Sequence, residues 1–544
     1  MLDLWYKNAV VYCLDVETFQ DSDGDGVGDL RGLTERLDHI EALGATCVWL
    51  LPFYPTPNRD NGYDITDFYS VDPRLGTLGD FVEFTHAAQE RGLRVIVDFV
   101  ANHTSVDHPW FQASRSDPNS PFRDWYVWSK EKPENIEEGV VFPGVQDTTW
   151  SYDEVAEAWY MHRFYEHQAD LNTANPKVRE ELERIMGFWL QLGVSGFRLD
   201  AVPFLIEYRG LPEEDRPKED PHEYLEEIRD FVSWRKAGAM LLAEANIKME
   251  EAEDYFGPSG NRLQTIFNFP LNQNLFLALA RQNADPIRRA LDTSPDIPPK
   301  AQWATFLRNH DELDLGRLSD GERQEVFDAM GPEPTMQIYD RGIRRRLAPM
   351  LGGDHARIFM AFSLMFALPG MPVIWYGDEI GMGEDLSLKE RNSVRTPMQW
   401  NDEPNAGFSR AEADRLVRPV VSEGPFAYAK INATDQRDEP VSLLTHVQRL
   451  VRMRRACPEV GWGSCEIIDA GHPAVLALKH DWKGKCVLTL HNLGERDVRV
   501  KLPEACAGAS ELLYCDEKVR GDAEPGAGIE LGPYGFHWSR VTQS

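Results

Sequence analysis

Gly196-Phe197-Arg198-Leu199-Asp200-Ala201-Val202 is a short apolar run in which Arg198 and Asp200 alone carry charge. Residues two apart on a strand share a face, so the guanidinium and the carboxylate lie together near the end of the run, and the cation favours the ionised acid. Seven further runs have the same character, at 10–16, 47–51, 94–100, 239–245, 265–269, 303–308 and 372–376. Each is followed by a stretch with helical spacing. Eight such alternations predict an α/β chain folded as a parallel (β/α)8 TIM-type barrel, with functional residues at the C-terminal ends of the strands.

Outward from that frame the spacing is uneven. Residues 104–175, between the third and fourth runs, are too many for an ordinary βα loop and predict an inserted subdomain over the barrel mouth. It carries thirteen aromatic residues between positions 104 and 165, among them Trp110, Trp125, Tyr126, Trp128, Trp150, Trp159 and Tyr160. They are expected to form its own small core before they serve as sugar platforms. The barrel then comprises residues 1–103 and 176–459. From 460 to 544 the pattern changes to short alternating runs at 474–479, 486–491, 498–502 and 536–541 without intervening helices, which predicts a C-terminal antiparallel β-sandwich.

A chain of 544 residues is long enough for such a large domain with attachments. Its 89 acidic against 57 basic residues, a net charge of −32, disfavour nucleic acid and anionic membranes, and suit a neutral small-molecule substrate. No apolar stretch reaches about 18 residues and the start lacks signal-peptide zones, so a cytoplasmic protein with no membrane association is expected. The seven cysteines show no Cys-x-x-Cys spacing and are expected to be free thiols. Self-association into a homo-oligomer is left open.

Three strand ends carry the chemistry. Asp200 closes the fourth run beside Arg198. Glu244, in Leu241-Leu-Ala-Glu244-Ala-Asn246, ends a very apolar fifth run, where desolvation raises a carboxyl towards the range of a general acid. Arg308-Asn309-His310-Asp311-Glu312 closes the seventh run with an acid beside an imidazole. Three acids at one barrel mouth supply the paired carboxylates of glycoside chemistry and a helper. Separately, Asp21-Ser-Asp23-Gly-Asp25-Gly-Val27-Gly-Asp29 places acids at positions 1, 3, 5 and 9 with glycine at 6 and a backbone carbonyl at 7, most of an EF-hand loop. Gly32 replaces the bidentate glutamate at position 12, so a structural Ca2+ loop is expected.

In Asp98-Phe-Val-Ala-Asn102-His103, Gly196-Phe-Arg-Leu-Asp200, the strand-end Glu244 and Asn309-His310-Asp311, the chain resembles the α-amylase superfamily of glycoside hydrolases and transglycosylases over essentially its whole length. The resemblance implies Asp200 as nucleophile, Glu244 as general acid/base and Asp311 as the acid gripping ring hydroxyls. It implies that His103, Gln168 and His310 bind substrate and that Arg198 orients Asp200. It places Tyr63 of Asn61-Gly-Tyr63-Asp64 against the terminal glucose, and pairs Asp60 with Arg395 to close the pocket end. It supports Ca2+ at Asp21–Asp29 and adds a second site from Asn102, Asp170, Glu207 and the carbonyls of Phe204 and Leu205. It implies no organic cofactor.

Longer stretches, including Leu50-Leu-Pro-Phe-Tyr-Pro, His162-Arg-Phe-Tyr-Glu-His-Gln168 and Gly342-Ile-Arg-Arg-Arg-Leu-Ala-Pro349, resemble the branch that interconverts maltose and trehalose by retaining double displacement, with hydrolysis as a side reaction. The alternatives are an α-glucosidase or transglucosidase acting on small α-glucosides and, in a different class, a non-catalytic barrel subunit. The chain departs from the branch at Tyr12-Cys-Leu-Asp-Val-Glu-Thr18 and at Asn268, where a histidine is expected; both are expected to bear on the pocket lining.

Overall fold

The computed structural model describes residues 3–501, 509–516, 519 and 528–542. Eight parallel strands close into one barrel: β1 Val11–Leu14, β2 Cys47–Leu50, β3 Arg94–Phe99, β4 Gly196–Leu199, β5 Met240–Ala243, β6 Thr265–Phe267, β7 Gln302–Phe306 and β8 Met371–Trp375. They stand in chain order around the ring, β8 pairing with β1. All eight fall on the apolar runs, because strands covered on both faces need apolar residues at nearly every position. Gly196 is required at its place: a Cβ there would lie 2.1 Å from the Met240 carbonyl oxygen of β5.

The register sets the level of the site. Phe99 is paired with Leu199, and Leu199 with Ala243. Asp200 then donates its N–H to the Phe99 carbonyl (3.2 Å) and Glu244 donates to the Leu199 carbonyl (3.0 Å), so both acids leave the barrel rim at the same height. Local signals start the surrounding helices: Thr77 and Asp80 form a capping box before Leu78–Glu90, and Asn175 caps Pro176–Gln191 with proline in its first turn.

The insertion is anchored by His103–Ser105, which pairs antiparallel with Gln168–Asp170 and brings Asp170 opposite His103. Beyond it lies a three-stranded antiparallel sheet of Trp128–Ser129, Ala158–Met161 and Trp150–Asp153. Its aromatics pack mainly on one another, Phe111 against Trp128 and Tyr160, and Trp125 against Trp110 and Phe122.

At the C-terminus, five antiparallel strands run in the order Ser464–Ile468, Val475–Trp482, Lys485–Asn492, Phe536–Thr542, Ala509–Cys515. A ribbon of Val498–Val500 with Ile529–Leu531 packs its Val500, Ile529 and Leu531 against Val475, Leu488 and Leu490 of that sheet. The helix His355–Ala367 also joins the sheet, where Ser363 accepts from the Trp538 indole (2.9 Å). Leu502, the end of the expected third run, lies outside the described residues, as does Cys506; Cys13, Cys47, Cys457, Cys465 and Cys515 are free thiols. No helix among the described residues is long and apolar enough to cross a membrane.

Candidate active site

A cavity of about 320 Å³ opens at the C-terminal end of the barrel, at the small end of the roughly 300–1,000 Å³ usual for small-molecule sites. Asp200, Glu244 and Asp311 all line it, with Asp60, Tyr63, His103, Gln168 and Asn309.

Arg198 organises the centre from beneath. It is 1 % exposed and bonds three acids: Asp98 (2.6 Å), Glu244 (2.6 Å, through its other terminal nitrogen) and Asp200. Asp200 and Glu244 also share a side-chain hydrogen bond. This leaves no room for the water that stands between carboxyls about 6.5–9.5 Å apart in an inverting site, and matches the retaining arrangement. Burial pushes Glu244 up to about 8, with Arg198 pulling it down and Asp200 and Asp311 pushing it further up. Burial lifts Asp200 to about 6, and Arg198 limits the rise. At neutral pH the shared proton therefore sits on Glu244, which donates to an ionised Asp200. Ala201, next in the chain, is held left-handed (φ 49°, ψ 42°), a strained conformation for a residue with a side chain, and its N–H faces Glu244 Oε2 at 3.4 Å.

The third acid is held differently. The buried Arg308 donates to the Asp311 carbonyl (2.7 Å) and fixes the turn after β7. The Asp311 carboxylate meets Arg391 (2.8 Å), Arg395 (3.0 Å) and His310 (3.0 Å). Burial alone would raise its pKa, but His310 and the two guanidiniums hold it well below the usual carboxylate range. It stays an acceptor.

Asp60 pairs with Arg391 at 3.1 Å and accepts from Gln168 at 2.9 Å. The expected partner, Arg395, instead turns its Nε to the His310 carbonyl (2.8 Å) and its Nη2 to Asp311. Arg391 lies within one short 3-10 turn, Glu390–Val394, and Arg395 caps its end. Only Arg391 projects into the cavity, and it bridges Asp60 to Asp311. Sequence reasoning missed Arg391.

Tyr63 and His103 reach the cavity wall; His103 Nε2 lies 3.2 Å from the Tyr63 carbonyl oxygen. His310 is fully buried behind them, stacked on Tyr63 with ring planes 5° apart and 2.7 Å from its hydroxyl. The two departures from the branch pattern do not line the cavity. Asp15 and Glu17 bind Arg418, and Asn268 caps the helix Phe269–Arg281 by accepting from Leu271. Nor do the seven aromatics named from the insertion: Phe142 and Phe164 line it instead.

Two places suit a cation. Asp21, Asp23 and Asp29 bring carboxylate oxygens within 4.8 Å of one another, while Asp25 turns to cap the Val27 N–H (2.8 Å). Asp21 also accepts from Ser409, tying the loop to the segment after the barrel. At the second place Asn102 donates to Asp170 (3.1 Å), and both line a space of about 20 Å³ with Phe204, enough for one water-sized occupant. Burial lifts Asp170 to about 7 against the Arg163 backbone N–H and charge and the Asn102 amide, which lower it; the Arg163 guanidinium itself is bonded to Glu207. The Leu205 carbonyl accepts from Thr173 (2.8 Å). A buried carboxyl poorly neutralised by its neighbours fits a hard cation, provided Glu207 exchanges Arg163 for it.

The α-amylase catalytic-domain profile matches residues 15–330 and 340–463. The chain is 43 % identical to the trehalose synthase of Thermus thermophilus over 98 % of its own length, spanning 55 % of that relative. It is 44 % identical to the trehalose synthase/amylase of Mycolicibacterium smegmatis, over 99 % of this chain and 93 % of that one. The crystal structure of the trehalulose synthase MutB from Pseudomonas mesoacidophila MX-45 superposes with a TM-score of 0.79 at 26 % identity, covering 99 % of each chain.

Proposed function

The chain belongs to the α-amylase family, and from that premise we propose that it is a retaining α-glucosyltransferase that interconverts maltose and trehalose, with hydrolysis as a side reaction. The observation that carries the proposal is the Arg198-centred carboxyl pair, set beside a pocket end closed by Asp60, Arg391 and Asp311. A closed end admits one terminal glucose and no longer chain. The 43–44 % identity to trehalose synthases supports the choice of disaccharide.

In this reading Asp311, kept ionised, accepts from the ring hydroxyls of that glucose, and Asp60 with Arg391 binds its far edge. Asp200 attacks the anomeric carbon while Glu244 gives its proton to the leaving oxygen. The C1–O bond of maltose breaks, an ester to Asp200 forms, and Glu244 becomes a base. It then takes the proton from the anomeric hydroxyl of the released glucose, whose oxygen displaces Asp200 to give trehalose. Water entering in its place gives glucose.

Ca2+ is a structural ion in this reading, held by Asp21, Asp23 and Asp29 and, less directly, at Asn102 and Asp170. The free thiols of Cys13, Cys47, Cys457, Cys465 and Cys515 support a cytoplasmic location. Proton NMR of the protein incubated with maltose tests the reading: trehalose should accumulate faster than free glucose. Glucose without trehalose would make it an α-glucosidase.

A further inference from the structure

Two excursions of the chain meet across the cavity mouth beside Asn246, which follows the acid/base Glu244, lines the cavity and donates to Asp314 at 2.8 Å. Val141 and Phe142 come from the insertion, and Arg341 from the connection between β7 and β8. The Arg341 Nη1 donates to the Val141 carbonyl at 2.9 Å, while its other nitrogens face Glu312 (3.5 Å) and Asp314 (3.6 Å) at the end of β7. Phe142 is thereby laid over the pocket. Its ring packs on Tyr165 and Tyr339, both at 4.8 Å, and the Arg391 guanidinium lies 5.0 Å from its centre. Tyr165 and Tyr339 both donate to Glu390, so three separate loops are fastened at one point.

The backbone there is not relaxed. Tyr339, Asp340 and Glu390 are all left-handed, at φ 56°, 57° and 45°, conformations that persist only where surrounding contacts enforce them. Residues 331–339 also lie between the two stretches that match the family profile, and Arg341 follows just after. Of the fastening residues only Tyr339 falls in that gap; Val141, Phe142, Tyr165, Arg341 and Glu390 stand within the matched stretches. Because Arg341 holds a backbone carbonyl, the contact depends on this arginine and not on the side chain at position 141.

We propose that Arg341 is a positioning residue that clasps Val141 and Phe142 over the acceptor end of the cavity and so sets how a glucosyl group on Asp200 is divided between a sugar hydroxyl and water. The proposal rests on the reading of Asp200 as glucosyl carrier but not on maltose or trehalose as the substrate. In both outcomes the Asp200–C1 bond breaks, a C1–O bond forms to the incoming oxygen, and Glu244 takes that oxygen's proton. Only access differs.

The test loads Asp200 from carbon-13-labelled α-glucosyl fluoride with unlabelled glucose as acceptor, and reads by NMR the ratio of labelled disaccharide to labelled free glucose. Arg341→Ala should lower that ratio at least fivefold, Arg341→Gln should shift it in the same direction, and Arg341→Lys, which keeps a donor near the Val141 carbonyl, should restore part of it. The ratio is internal to each sample, so a variant that folds poorly lowers both products without moving it. A ratio within twofold of wild type in Arg341→Ala and Arg341→Gln would overturn the proposal, as would a wild-type protein that yields only hydrolytic glucose. Failure to make trehalose from maltose, with the ratio still shifting, would instead count against the substrate reading alone.

Discussion

The two ends of the cavity are built from different materials. At the donor end Asp60, Arg391, Asp311 and Arg395 form a buried chain of ion pairs, with Asp311 close after β7 and the others on the longer connections after β2 and β8. Towards the acceptor side Phe142, Arg341, Tyr165 and Tyr339 come from the insertion and a long connection and hold one another by aromatic contact and single bonds, meeting the donor end where Phe142 stacks on Arg391. Buried and mutually bonded, that chain of ion pairs can hold a glucose and its reacting carbon in one place. Loops that clasp can open and close around a substrate. The difference divides the labour: the donor end decides which bond breaks, and the acceptor end decides what replaces it.

The sharpest way to break this division is at the centre. Asp200→Asn should cost about 10⁴-fold or more in turnover on every α-glucoside, whatever the acceptor, because it removes the nucleophile both ends serve. Retained turnover, measured by glucose release, would sink the assignment. At the donor end, Arg391→Lys keeps the charge but not the fork that spans Asp60 and Asp311. It should cost roughly 2 kcal/mol, about thirtyfold in kcat/KM for maltose, without the change in product ratio expected at Arg341. An altered ratio with kcat/KM intact would reverse the roles of the two ends.

Acidity tests the centre again with a smaller effect. Activity needs Asp200 ionised and Glu244 protonated, so the rate should rise as pH increases through about 6 and fall as it passes about 8, roughly tenfold per unit outside those limits. A rate flat from pH 5 to pH 9 would contradict the proton placement. Calcium should matter least: chelation should lower the Tm by a few degrees through the Asp21–Asp29 loop, and leave kcat at lower temperature within about twofold. Calorimetry with and without chelator would expose an inert loop as an unchanged Tm.

How much of this was legible in the sequence follows the same division. All eight barrel strands show as apolar runs because both their faces are buried. Asp200, Glu244 and Asp311 show because each is a charge ending such a run. Arg391 was hidden because it stands four residues before Arg395 on the same short turn, and no local rule says which guanidinium faces inward. Phe142 was one aromatic among thirteen, and the larger rings around it went to packing the insertion. The contact of Arg341 with Val141 spans 200 residues and joins two loops without periodic pattern, so nothing short of the fold discloses it. Asn268 and the Asp15–Glu17 pair misled in the other direction, since unusual residues at strand ends serve a helix cap and an ion pair with Arg418.

The most direct test of the account is to trap the intermediate. Incubation with 5-fluoro-α-glucosyl fluoride, followed by proteolysis and mass spectrometry, should find one fluoroglucosyl group per chain, on the peptide that contains Asp200. A label on any other carboxylate, or rapid turnover with no label at any site, would contradict it.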